Sequence, residues 1–134
     1  MIRSRRQRSR GAVVFGVSVV SGGHAAYIPL LTAAADGTPT ADGATGASVD
    51  TDIGNGRLYW AVVTDAGVAT TGQIKAGAGG DIVVAGNQAI IASGTQTFNI
   101  TGLTAATAYQ IKFVQMNAAN TDSAQASVNL TTTA

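Results

Sequence analysis

Residues 57–64 read Arg-Leu-Tyr-Trp-Ala-Val-Val-Thr, and their alternation points to a fold made of strands. In an extended chain successive side chains face opposite ways. Leu58, Trp60 and Val62 therefore share one face, and Tyr59, Ala61 and Val63 share the other. Both sets are apolar, as expected of a central strand covered on two sides.

Working outward, Tyr109–Met116 alternates in the same way, with Tyr109, Ile111 and Phe113 on one face and Gln110 and Lys112 on the other. Thr95–Thr101 places Phe98 and Ile100 inward. Ala44–Asp50, Ile82–Val84, Gln88–Ala92 and Ala126–Thr132 complete the expected strands. Asp65–Gly80 reads as a loop with a single helical turn at Thr71–Ala76, and Asp52-Ile-Gly-Asn-Gly56 as a tight turn. Strands at this spacing, separated by Gly, Asn and Thr, predict an all-β antiparallel sandwich.

Composition agrees. The chain has 134 residues, enough for one domain and a tail, with 17 Gly, 2 Pro and no Glu. Long helices usually carry Glu and Lys on the wet face, and only two Lys are present. With 11% charged residues, the exterior must be largely Thr, Ser, Asn, Gln and Gly, a surface common in extracellular or particle-borne β proteins. The predicted organisation is a basic and apolar N-terminal arm with linker over residues 1–35 and a sandwich over 36–134.

The net charge of +1 conceals a division. Arg3, Arg5, Arg6, Arg8 and Arg10 lie in the first ten positions, whereas from Gly11 onward three basic residues face seven acidic ones, a balance of −4.

The stretch Asn99-Ile-Thr-Gly-Leu-Thr-Ala-Ala-Thr-Ala-Tyr-Gln-Ile-Lys-Phe113 resembles the fibronectin type III domain at its Gly-Leu-Thr-x-x-Thr-x-Tyr turn. The resemblance implies that Leu103 plugs one end of the sandwich and that Tyr109 is a tyrosine corner bonding back to nearby backbone. Together with Gly56–Asp65 and Gln73–Gly77, it is similar to fibronectin type III-like modules of bacteriophage virion proteins and some bacterial surface proteins. By that likeness the expected role is a non-enzymatic virion component: a capsid decoration protein, a head fibre, or a neck or tail accessory, present in many copies or as a homo-oligomer.

Catalytic chemistry finds little footing. There is no Cys, so neither a thiolate nucleophile nor a Cys-based metal site exists. The only His, His24, lies in a Gly/Ala-rich stretch, and Asp50 and Asp52 lack the apolar setting that fits a carboxyl for acid duty. Asp50-Thr-Asp-Ile-Gly-Asn55 begins like a calcium loop, but Ala61 stands where a bidentate Glu belongs. An Asx-type hairpin turn, with Asp52 and Asn55 bonding local backbone, is the expected reading. Gly77-Ala-Gly-Gly80 lacks the GK[ST] of a phosphate cradle and reads as a mobile loop. The sequons at Asn99 and Asn129 fall in strands. No catalytic residue, metal or cofactor is expected.

The arm carries the specific chemistry. Its guanidinium groups can grip phosphates or clustered carboxylates. An acidic protein surface on another virion component is the favoured partner. Nucleic acid is less favoured, because no aromatics interleave the arginines. A passive solubilising tail is the bland reading. The following run, Ala12–Val20 with Val13, Val14 and Phe15, could add a strand to a partner's sheet edge. A membrane span is not expected, since nine apolar residues fall short of the roughly 20 needed. The alternative is a secreted or cell-surface binding module, with residues 1–26 a cleaved signal peptide.

Overall fold

The computed structural model describes residues 27–134. They form β1 (Leu31–Ala35), β2 (Thr38–Thr40), β3 (Gly43–Thr51), β4 (Arg57–Thr64), α1 (Thr71–Ala76), β5 (Ile82–Ala89), β6 (Gly94–Ile100), β7 (Ala108–Met116) and β8 (Ala126–Thr131). All pairings are antiparallel. In one sheet β3 is central, with β6 on one side and β1 and β2 sharing the other. The second sheet has the order β5-β4-β7-β8.

The expected alternation is realised in two separate apolar layers. Leu58 and Val62 of β4 meet Tyr109, Ile111 and Phe113 of β7, Ala47 and Val49 of β3, Ile100 of β6 and Leu130 of β8 between the sheets. The opposite face of β4 needs its own cover, and α1 supplies it: Ile74 packs against Ala61, Val63, Val114 and Ala69. This is why residues 57–64 are apolar on both sides. Burying each large side chain contributes about 1.5–3 kcal/mol.

The helical turn forms where the sequence places it because both ends are capped. Thr70 accepts from the Gln73 amide, and Gln73 accepts in return from the Thr70 amide. At the other end Gly77 is left-handed, with φ 71°, and its N–H reaches the Gln73 and Ile74 carbonyls.

Three expectations change. The sheet starts at Leu31, ahead of the Asp36 boundary, because Leu31 and Thr32 pair with Thr51 and Asp50. Those residues join as an edge strand of mixed exposure, which leaves no clear alternation in the sequence. The two short strands at 82–84 and 88–92 are one strand, β5. The Ala85-Gly86-Asn87 sequence that looks like a turn is continuous sheet. Gly86 is there for space, since a Cβ would lie 2.4 Å from Trp60 Cζ2. Finally, the 77–80 loop, read as mobile, is tied down: Asp81 N donates to the Val68 carbonyl, Ile82 N to that of Gly79, and Asp81 Oδ2 accepts from Val68 N.

Trp60, the single Trp, stacks on Phe98 with centroids 4.6 Å apart and an interplanar angle of 7°. Gly86→Ala should displace that ring and cost about 1–3 kcal/mol. Denaturant unfolding with Trp60 emission as the probe reports both. An unchanged midpoint and emission maximum would mean that Trp60 does not lie over Gly86.

Candidate functional site

The arm residues singled out by sequence (Arg3, Arg5, Arg6, Arg8, Arg10, Val13, Val14 and Phe15) lie outside the described residues, as does His24. Their point of attachment, residues 27–30, is described.

Its foundation is Gln115. The β7 alternation that turns Tyr109, Ile111 and Phe113 inward also turns in Gln115, which is fully buried. A buried amide is costly unless each polar atom is paired. Here Oε1 accepts from the Thr51 hydroxyl at the end of β3. Nε2 donates to the carbonyls of Ile53 and Asn55, both at 3.0 Å. Its backbone N–H donates to Ser123 Oγ and its carbonyl accepts from Ser123 N. One side chain thus joins both sheets and the segment crossing between them.

On this base the chain from Tyr27 to Leu30 is fastened at four places. Asn117, also buried, donates from Nδ2 to the Tyr27 carbonyl at 2.9 Å. The Tyr27 hydroxyl donates to Asp52 Oδ2. Pro29 is fully buried. Leu30 N donates to Asp52 Oδ1 at 2.9 Å, and Asp52 N donates to the Leu30 carbonyl.

This corrects the reading of residues 52–56 as a hairpin turn. β3 and β4 belong to different sheets, so the segment is a crossover. Asp52 and Asn55 bond distant chain: Asn55 Oδ1 accepts from Ala118 N at 2.8 Å. Asp50 accepts instead from the Thr95 hydroxyl. The two aspartates thus have separate partners, and among the described residues no group of three or more His, Cys, Asp or Glu is placed to hold a metal.

The sequence signal for Gln115 was present: a polar residue at an inward position of an alternating strand. Asn117 and Asp52 gave no such signal, because their partners lie 90 and 22–25 residues away. Around the arm base, Tyr27, Ile28 and Leu30 expose apolar surface to solvent. Elsewhere the sequon residues are engaged, Asn99 Oδ1 accepting from Gly46 N and Asn129 Oδ1 from Gln110 Nε2. Among the described residues no helix is long and apolar enough to cross a membrane. No protein-family model matches the chain, and none of the curated proteins or solved structures compared with it is a match.

The Asp52 contacts are pH-dependent. The Tyr27 hydroxyl, then the Leu30 amide, hold the Asp52 carboxyl below its ordinary value, and the bond to Asp52 raises the Tyr27 hydroxyl above its own. A depressed carboxyl stabilises the fold above its unfolded value and loses that contribution as pH falls through the folded one. A raised tyrosine contributes below its unfolded value and loses that contribution as pH rises through the folded one. The tether is therefore complete across neutral pH and fails at both extremes. In an NMR titration the Leu30 amide should shift with a midpoint below the ordinary carboxylate range. Asp52→Asn, which keeps an acceptor for Leu30, should abolish that titration. A midpoint at the ordinary value would mean that the contact does not persist.

Replacing Gln115 tests the foundation. Gln115→Leu retains bulk but leaves the Asn55 carbonyl without its amide donor, at about 1–3 kcal/mol, while the Ile53 carbonyl keeps the Thr51 hydroxyl. A loss of about 2 kcal/mol is expected from urea unfolding. A change under about 0.5 kcal/mol, the size typical of surface sites, would contradict the network.

Proposed function

We propose that this protein is a non-enzymatic virion structural component whose sandwich is a presented body and whose arginine-rich N-terminal arm anchors it to another protein of the particle. The observation that carries the reading is the construction of the arm's base. A terminal segment is normally loosely held unless it is tied down. Here Asn117, Asp52 and the buried Pro29 fix residues 27–30 to the body. A load borne by the arm would enter the body at Asp52 and Asn117, next to the crossover carbonyls that Gln115 holds.

Charge supports the same division of labour. The sequence beyond the arm has a balance of −4, so the basic charge is concentrated in the five arginines of the first ten positions. Guanidinium forks suit carboxylate-rich protein surface. Copies repeated on a symmetric particle would gain avidity from many such attachments.

A fibronectin type III-like assignment is part of the proposal. It is supported by Tyr109 at the start of β7, whose hydroxyl accepts from Thr104 N at 3.0 Å, the bond of a tyrosine corner. Leu103, buried in the turn just ahead, is in keeping with the same motif.

Deletion of residues 2–10 should leave the melting transition unchanged while weakening association with purified particles by about 100-fold, from five charge pairs at about 0.5 kcal/mol each. The association should also weaken with salt. Unchanged co-sedimentation would make the arm a passive tail. A mature N-terminus near Ala26 or Tyr27, found by N-terminal sequencing, would replace this reading with a secreted module.

A further inference from the structure

The crossover between β3 and β4 contains Asn55-Gly56, the only Asn-Gly pair among the chain's six asparagines. The side-chain carbonyl of an asparagine can be attacked by the backbone nitrogen that follows it. A glycine in that place leaves the approach open, because it has no Cβ. The fold presents the reacting groups of this pair. Asn55 is exposed. Its Oδ1 accepts from Ala118 N at 2.8 Å, so a donor already points at the oxygen on which negative charge would develop. Gly56 N, which would attack, and Asn55 Nδ2, which would leave, have no hydrogen-bond partner among the described residues. We propose that Asn55 is a site of spontaneous deamidation and that the isoaspartate product loosens the base of the arm.

The other asparagines are placed differently. Ala118 N, which follows Asn117, donates to Asn55, and Thr121 N, which follows Asn120, donates to Asn117. Asn87, Asn99 and Asn129 lie within β5, β6 and β8 and are followed by Gln88, Ile100 and Leu130, whose side chains crowd the approach.

The step balances with water as the only co-reactant. Gly56 N bonds to Asn55 Cγ, and its proton passes through solvent to Nδ2. The Cγ–Nδ2 bond breaks, and ammonia leaves. The cyclic imide that remains takes up a water, which opens it at either carbonyl. One opening gives aspartate in an ordinary backbone. The other gives isoaspartate, in which the chain runs through the side-chain carbonyl and the former main-chain carbonyl becomes a free carboxylate.

Only isoaspartate disturbs the junction. Aspartate keeps an oxygen for Ala118 N and the carbonyl that Gln115 Nε2 holds at 3.0 Å. Isoaspartate inserts a carbon into the backbone ahead of Gly56, whose own backbone lies hard against β7. A Cβ on Gly56 would sit 2.0 Å from the Met116 carbonyl oxygen and 2.7 Å from Asn117 Cα. The extra length is therefore taken up toward Ile53 and Asp52. Asp52 is the acceptor for Leu30 N and the Tyr27 hydroxyl, so the fastening of residues 27–30 moves with it.

The inference does not depend on the arm's partner, and its failure would leave the anchoring proposal standing. The full chain, held folded at mildly alkaline pH and followed by peptide mass mapping, should convert amide to acid at Asn55 at least about tenfold faster than at any other asparagine. In the chromatographically separated isoaspartate form, the Leu30 amide should exchange about tenfold faster than in fresh chain. Asn55→Asp, which has the acid in an ordinary backbone, should exchange there as the native chain does. Retention of the Asn55 amide, or conversion spread evenly over the asparagines, would overturn the site. Native exchange of Leu30 in the isoaspartate form, or equally fast exchange in Asn55→Asp, would overturn its effect on the base.

Discussion

The buried amide of Gln115 is the constraint that relates the parts of this molecule to one another. A sandwich of two sheets is held mainly by non-directional apolar contact, which fixes separation well and lateral position less well. Gln115 adds direction. Its three side-chain bonds reach the end of β3 and two carbonyls of the crossover to β4, and its backbone bonds reach Ser123. Because the amide is inaccessible to water, solvent cannot replace these partners for Gln115. The crossover is thereby held in the shape that presents Asp52 and Asn55 to residues far away in sequence.

The functional reading follows from that shape. Asp52 and Asn117 hold residues 27–30 where the crossover and the loop after β7 come together, so side-chain bonds as well as the sheet fasten the start of the body. The chemistry on the two sides of this junction differs in kind. Ahead of it come five arginines and an apolar run; beyond it lies a body with few charges, whose one ion pair among the described residues joins Lys75 to Asp122. That separation suits the proposed division into an arm that engages a partner and a body that is carried.

The strands with alternating apolar residues were legible in the sequence to within a residue or two, including the double-faced β4 and the capped turn α1. Periodicity carries that information locally. What was not legible depends on distance. β1 gives no signal because an edge strand of mixed exposure has no pattern to show. Gly86 imitates a turn because its purpose, space for the Trp60 ring, belongs to another strand. Asp52 and Asn55 imitate a hairpin turn because their composition suits one, and only the assignment of β3 and β4 to different sheets shows otherwise. The candidate site divides the same way: the basic arm was evident from composition, while the base at residues 27–30 consists of long-range side-chain bonds.

Native-state amide hydrogen exchange of the full chain tests the central claim most directly. If the arm's base is part of the core through Gln115, the Leu30 amide should exchange with the same opening free energy as Gln115 and its β7 neighbours, and all should shift together with denaturant. Exchange of Leu30 at the rate of an unprotected terminus, while the β7 amides remain protected, would show that the base frays independently and would contradict the account.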